Sequence, residues 1–194
     1  MAIAINGSSN TITGIAVGGL PDGIVDTDML ADDAVTAPKI GSKTFTSYAI
    51  ICDQKAQNTS GGTFTSGAWQ KRDLNTEIAD PDGIVSINTD SQFTLQAGSY
   101  LIKATCPVYA VDRHQAKLVN ATDSTDVAFG TSQYSRNAYT VEGRSIIVCR
   151  VTIASAKDFE IRHKCETTMA TYGFGIETNY GVEKYTVVEI YKEG

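Results

Sequence analysis

The sequence predicts an all-β fold, and three observations carry that prediction. Gly, Thr, Ser, Asn and Tyr are plentiful, a composition that favours strands and turns over helices. Apolar and polar residues alternate in many short runs across residues 45–194. Turn clusters separate those runs, and no long helical pattern lies between them. Together they indicate a two-sheet sandwich or jelly roll.

The alternating runs define the predicted strands. Residues 100–108, 147–153 and 159–165 each place apolar side chains at every second position, which predicts one core-facing side per strand. The run 185–191 is apolar on both sides, which predicts a central strand. Residues 58–62 and 80–83 are rich in Gly, Asn, Asp, Ser and Pro and predict turns.

Length and charge limit the organisation and the partners. The 194 residues allow one domain with an appendage, or at most two small domains, and the composition divides them into an arm at 1–44 and a head at 45–194. The net charge is −6 and the 16 basic residues are scattered, which disfavours nucleic acid as a partner.

The first residues lack the basic and long apolar regions of a signal peptide, and no run reaches the length of a membrane span. We therefore expect a protein made and folded in a cytoplasm, with no membrane partner. This expectation disfavours a secreted, ligand-like head.

The four cysteines all fall in apolar-looking positions of predicted strands. Cys52 shares its phase with Tyr48 and Ile50, and Cys106, Cys149 and Cys165 sit in the apolar phases of later strands. No Cys-x-x-Cys spacing occurs, which disfavours a structural zinc site. Buried free thiols are the favoured interpretation, while a disulfide between adjacent strands stays open.

The arm cannot build a core alone. The stretch 3–17 is light and rich in Gly, Ser and Asn, which allows an extended conformation. Asp26 or Thr27 can cap one short helix, which Pro38 and Gly41 end. So short a helix is unstable alone in water and must pack on a neighbour. The candidate attachment residues are apolar side chains from the whole arm: Ile3, Ile5, Ile12, Ile15, Val17, Leu20, Met29, Leu30, Val35 and Ile40.

Residues 20–40, LPDGIVDTDMLADDAVTAPKI, resemble the linker units of bacteriophage tail-fibre and head-fibre proteins. In those units a turn, an Ile/Val-Thr pair and a short helix precede Ala-Val-Thr and Lys-Ile/Leu. The resemblance implies an arm that docks on a virus particle. The family pattern repeats several times whereas this chain has one clear copy, which fits a compact protein better than a fibre shaft. An arm tied down on its own domain is the alternative.

The head resembles the jelly roll of tumour-necrosis-factor and complement globular heads, particularly its phage versions. The segments that carry the resemblance, in order, are WQKRDLN at 69–75, FTLQAGSYL at 93–101, KLVNAT at 117–122, SIIV at 145–148 and YTVVEIY at 185–191. The resemblance implies a ten-strand, two-sheet head that forms a homotrimer. Tyrosines and aliphatic residues of the inner sheet would form the trimer core, with Tyr185, Val187, Tyr191 and His163 as candidates. An unrelated monomeric sandwich is the alternative.

The chemistry of the chain is sparse. Its only histidines are His114 and His163, and no nucleophile elbow, phosphate loop or zinc-protease motif is present. Acidic pairs occur at Asp26/Asp28 and Asp32/Asp33, where first-turn helix positions explain them better than a calcium loop does. We expect no catalytic residues, no cofactor and no protein-built metal site, while calcium on a trimer axis stays open.

Two functions are therefore predicted. The first is a capsid decoration (cement or head-fibre) protein of the virion, assembled in the host cytoplasm, whose arm binds the major capsid protein or another virion protein. The second is a receptor-binding tip of a tail fibre that recognises a host glycan or protein. Its candidate loop carries Tyr134, Arg136, Asn137 and Tyr139. A solvated surface turn is the plainer interpretation of that loop. The short arm favours decoration, because a tip protein normally carries a shaft.

Overall fold

The computed structural model describes residues 4–6, 11–13, 45–139 and 141–194. The chain divides into two compact units, residues 1–42 and 43–194. In the first unit, β1 (Ala4–Asn6) and β2 (Thr11–Thr13) pair antiparallel, with Ile5 opposite Ile12. The predicted short helix and the other candidate attachment residues of the arm lie outside the described residues.

The second unit contains two antiparallel sheets. The five-stranded sheet has the strand order β12-β8-β14-β3-β5. Its strands are β3 (Ser47–Lys55), β5 (Thr76–Ala79), β8 (Gly98–Tyr109), β12 (Glu142–Ile153) and β14 (Glu183–Lys192). Strand β14 lies between β8 and β3, so the prediction of a central final strand is confirmed.

The seven-stranded sheet has the order β10-β9-β13-β7-β6, with β11 also pairing with β9 and β4 with β13. Its strands are β4 (Gln70–Lys71), β6 (Val85–Ile87), β7 (Phe93–Leu95), β9 (Asp112–Asn120), β10 (Thr125–Phe129), β11 (Gln133–Ser135) and β13 (Lys157–Cys165). A single 3₁₀ turn, Asn137–Tyr139, is the only helical element among the described residues. The all-β, two-sheet prediction is therefore confirmed.

The core lies between the two sheets, where the alternating positions meet. From the five-stranded sheet, Ile102, Ala104 and Ile147 are buried together, and the other sheet contributes Phe159 and Ile161. This arrangement confirms the predicted phases of β8, β12 and β13. Burial of such aliphatic and aromatic side chains contributes about 1.5–3 kcal/mol each to folding.

One part of the interior is polar. Arg72 is 1% exposed, and its guanidinium donates hydrogen bonds to Thr186 Oγ1 (2.7 Å) and to the carbonyls of Pro107 (2.8 Å) and Phe174 (3.1 Å). It thereby ties β4, which belongs to the seven-stranded sheet, to β14 and β8 of the other. Beside it, His163 Nε2 lies 3.0 Å from His114 Nδ1.

Close packing fixes the segment before β14. Gly175 has a φ of +139°, a conformation that favours glycine. A Cβ at that position would lie 2.3 Å from the ring of Tyr185. Glycine therefore lets the Tyr185 ring lie directly against the backbone of its own chain.

The placement of Cys52 corrects one sequence interpretation. The core-facing residues of β3 are Ala49 and Ile51, so Tyr48, Ile50 and Cys52 lie on the opposite side of the sheet. The sequence interpretation chose the wrong phase because β3 is apolar at both alternating sets of positions. All four cysteines are free thiols, and burial raises the pKa of the Cys106 thiol to about 11.

None of the helical segments in the described part of the chain has the length and apolarity needed to cross a bilayer.

Candidate functional site

The outer face of the five-stranded sheet, meaning the side turned away from the core, carries three rows of side chains across its strands. The strand register aligns Tyr48, Tyr191, Leu101 and Arg150 in the first row. The second row contains Ile50, Glu189, Lys103 and Val148, and the third contains Cys52, Val187, Thr105 and Ile146. Seven of these twelve side chains are aliphatic or aromatic.

Several of these apolar side chains are exposed to solvent in the single chain. Val148 is 61% exposed, Tyr48 45% and Ile146 38%. Phe45 extends the apolar surface, since its ring centroid lies 5.4 Å from that of Tyr191. Clustered apolar exposure of this kind is rare on monomers and marks an interaction surface.

The polar residues of this face are paired with each other. Lys103 Nζ lies 2.7 Å from Glu189 Oε1, and the Tyr191 hydroxyl donates a hydrogen bond to Glu189 (2.9 Å). At the rim, Arg150 binds both carboxylate oxygens of Glu193. Internally satisfied polar groups can be covered by a partner at lower desolvation cost than unpaired charges.

Two pKa values reflect this pairing. The hydrogen bond from Lys103 lowers the pKa of Glu189, and the hydrogen bond to Glu189 raises the pKa of Tyr191. Glu189 is therefore ionised and Tyr191 neutral at physiological pH. The centre of the face is a neutral triad of one cation, one anion and one phenol.

Two of the four predicted trimer-interface residues lie on this outer face, and two do not. Val187 and Tyr191 are half-buried members of the rows. His163 is 0% exposed inside the sandwich, and Tyr185 is 5% exposed with its hydroxyl donating to the carbonyl of Thr59 (2.7 Å). The prediction for His163 and Tyr185 is therefore corrected, because each is covered by its own chain.

The predicted receptor loop has a mixed structure. Tyr134 and Tyr139 are 56% and 66% exposed. Arg136 stacks over the Tyr139 ring at 4.5 Å. Asn137, by contrast, is used internally: its side chain donates to the carbonyl of Ala110 (2.7 Å). The loop thus offers two exposed tyrosines and an arginine rather than four adaptable side chains.

Sequence reasoning missed two exposed apolar residues of the outer face. Ile146 and Val148 fall in the phase of β12 opposite to the core, where polar residues are expected. The available signal was the apolar character of both phases over residues 146–148, which predicts burial on both sides of a strand. In the single chain only one side is covered.

The described residues contain no group of three or more His, Cys, Asp or Glu side chains arranged to hold a metal ion.

No protein-family model matches the chain. No curated protein matches it either. Solved structures do match. A crystal structure of murine APRIL covers 75% of this chain and 98% of its own, with a TM-score of 0.50 and 6% identity. The globular domain of zebrafish complement 1qA (75% and 96% covered, TM-score 0.48, 11% identity) and Eiger TNF from S. frugiperda (77% and 93%, 0.49, 13%) also match. At such identities the likeness shows the fold alone: a jelly roll of the tumour-necrosis-factor and complement-head type.

Proposed function

We propose that this protein is a non-enzymatic structural component of a bacteriophage virion, a homotrimeric capsid decoration protein attached through its N-terminal arm. One observation carries the self-association: the apolar outer face of the five-stranded sheet, with Val148 61% exposed on its edge strand β12. Leaving such a face in water is unfavourable by about 25 cal/mol for each Å² of apolar surface.

A second copy of this chain fits the outer face better than an unrelated partner does. The Lys103–Glu189 pair is neutral in sum, so copies of the face meet without net repulsion. A three-fold arrangement brings one part of the face against a different part of the next copy, and it closes after three subunits. A closed ring leaves no part of the apolar face unpaired, whereas an open chain of subunits would leave it exposed at both ends.

The oligomeric state tests this part directly. The chain has a mass of 20.7 kDa. Light scattering on the full-length protein as it elutes from a size-exclusion column is expected to give three times that mass. This mass is expected to stay the same when the protein is diluted into the micromolar range. A monomer at high micromolar concentration would contradict the proposal, and a dimer would replace the three-fold arrangement with a two-fold one.

The attachment part rests on the resemblance of residues 20–40 to phage fibre linker units. Three arms on one trimer bind three neighbouring sites, which gives avidity without any single strong contact. Deleting residues 1–40 is expected to leave a folded trimer that no longer binds particles. A truncated head that still occupies capsids at the normal level would show that the arm is not the attachment element.

Copy number and position on the particle separate decoration from the alternative role. Particle imaging is expected to show hundreds of copies spread over the shell. A handful of copies at the tail or at one vertex would support the receptor-binding tip instead. The exposed Tyr134 and Tyr139 would then be the first residues to substitute.

A further inference from the structure

A shallow, open cleft of about 430 Å³ lies on the outer face of the seven-stranded sheet, on the side of the head opposite the candidate self-association surface. Its lining includes Trp69, Arg113, Gln115, Gln133, Lys164 and Glu166. Trp69 directly precedes β4, whose Gln70 pairs with His163, and this pairing sets the indole beside Lys164. Lys164 in turn pairs with Gln115 of β9. The volume falls within the roughly 300–1,000 Å³ typical of small-ligand sites.

The indole of Trp69 is held in place by its own chain. The ammonium of Lys117 lies 4.5 Å from the indole centroid, and the Phe129 ring lies 6.0 Å away in a tilted contact. Lys117 is itself anchored by Asp126, 2.6 Å away. A ring fixed in this way loses little conformational freedom when a ligand arrives, which lowers the cost of binding.

Polar groups of both kinds surround the indole. Gln115 donates one hydrogen bond to the carbonyl of Gly130 (2.8 Å), which leaves its own carbonyl oxygen as an acceptor. Arg113 and Glu166 form an ion pair at 2.7 Å beside the cleft. Amide, guanidinium and carboxylate groups next to one aromatic ring match the hydroxyl edge and the apolar C–H face of a sugar.

One cation of the cleft lacks a counter-ion. Lys164 is exposed, and among the described residues no carboxylate lies within ion-pair distance of its ammonium. The cleft therefore carries a net positive charge on a protein whose overall charge is −6. A local reversal of sign favours an anionic ligand group, because a charge-assisted hydrogen bond is stronger than a neutral one.

We propose that this cleft binds one acidic pyranose unit of a glycan. The C–H face of the sugar ring lies against Trp69, and Lys164 binds the carboxylate of the sugar. Because the cleft and the self-association surface lie on opposite outer faces, the cleft stays open in the proposed trimer. The inference is independent of how the protein attaches to a particle.

Trp69 provides the measurement, since it is the only tryptophan of the chain. The full-length protein is screened on an array of uronate-bearing and sialate-bearing glycans, each with its neutral counterpart. The acidic glycan with the strongest signal is then titrated against tryptophan fluorescence. We expect acidic glycans to bind in preference to their neutral counterparts and to change the emission of Trp69.

Two variants and two controls decide the outcome. Lys164→Met is expected to weaken binding tenfold or more, and Trp69→Phe to do the same when binding is measured by calorimetry. Lys157→Met, which removes a lysine elsewhere on the seven-stranded sheet, is expected to leave the affinity unchanged. Val148→Asp, on the opposite face, tests independence: its subunits are expected to bind the glycan still, whatever their oligomeric state.

Three results would overturn the inference: no acidic glycan bound on the array, equal binding of the neutral counterparts, or an affinity that Lys164→Met leaves intact. Because Lys164 is an exposed surface residue, its substitution leaves the fold in place and that last result is decisive. Each of these outcomes can occur in a protein that is still a trimeric decoration protein, so failure here does not disprove the proposed function.

Discussion

The two outer faces of the sandwich cover the same core but carry different chemistry. On the five-stranded sheet the outward side chains include Tyr48, Ile146 and Val148, all of them partly exposed. On the seven-stranded sheet the outward positions hold charges such as Glu160 and Arg162. Strand alternation decides only which side chains face the core. The outward positions are free of that constraint, so their chemistry reflects what each face meets.

Charge networks show how the seven-stranded face is adapted to water. Glu160 is 1% exposed and accepts hydrogen bonds from Gln92 (3.0 Å) and Arg162, with Lys71 3.2 Å away. Burial alone would raise the pKa of Glu160, but the hydrogen bonds from Gln92, Arg162 and Lys71 outweigh it and lower that pKa. This network around Glu160 satisfies its charges within the chain, whereas the five-stranded face leaves a cluster of apolar side chains uncovered. The contrast predicts that substitutions on the two faces have different consequences.

Val148→Asp is expected to have the largest effect, loss of the trimer. It places a charge among the apolar side chains of the outer face, on strand β12, where association would bury it without a partner. Light scattering should give the mass of a single chain. Phe129→Asp is the matched control on the other face, since Phe129 is 55% exposed, and its mass should stay that of the parent. Equal behaviour of the two variants would break the distinction between the faces.

Arg72→Met is expected to lower the free energy of unfolding by about 3 kcal/mol. The substitution keeps most of the side-chain volume but leaves Thr186 and the carbonyls of Pro107 and Phe174 without their buried donor. Arg113→Met removes an exposed arginine of the same sheet and should cost less than about 1 kcal/mol. Urea unfolding measures both variants. Similar losses would mean that the buried arginine does not link the two sheets.

Acid is expected to destabilise the interior beneath both faces through His114 and His163. Burial, together with the charge of Arg72, lowers the pKa of His114 to about 4 and holds that of His163 well below its usual value. Both are neutral in the folded chain, while the unfolded chain protonates them below about pH 6.5. Stability is therefore fully present above pH 6.5. Below that pH it falls by up to about 1.4 kcal/mol per pH unit for each histidine, until the pH reaches the folded-state pKa of that histidine.

Urea unfolding at pH 7.5, 6 and 5 measures this loss. Replacing both histidines with glutamine should flatten the dependence, since the neutral amide does not titrate. An unchanged slope in that double variant would assign the acid sensitivity to other groups.

Tyr191→Phe is expected to have the smallest effect, about 1 kcal/mol of trimer stability. It removes only the hydroxyl that donates to Glu189 and leaves the ring on the outer face. Concentration-dependent dissociation followed by light scattering measures it. Tyr139→Phe, in an exposed loop, serves as the control and should change nothing. A trimer as stable as the parent in both variants would show that the triad of Lys103, Glu189 and Tyr191 is not covered on association.

The candidate surface was only partly visible in the sequence. Val187 and Tyr191 could be placed because the final strand is apolar in both phases. Tyr185 and His163 could not, because their burial depends on contacts distant in the chain. Tyr185 packs against Gly175 and donates a hydrogen bond to Thr59, and His163 lies against Arg72 and His114. Trp69 and Lys164 meet only through the pairing of β4 with β13, which no local pattern encodes.

The sequence by itself determined the all-β class, the central position of β14 and the core-facing phases of β8, β12 and β13. These features follow from a period-two pattern, which is local and survives in any arrangement of the strands. Only the tertiary structure decided which apolar phase of β3 faces the core, that Arg72 is buried, and which residues remain exposed on each outer face. Those outcomes depend on which strands become neighbours, and strand pairing is a property of the whole chain.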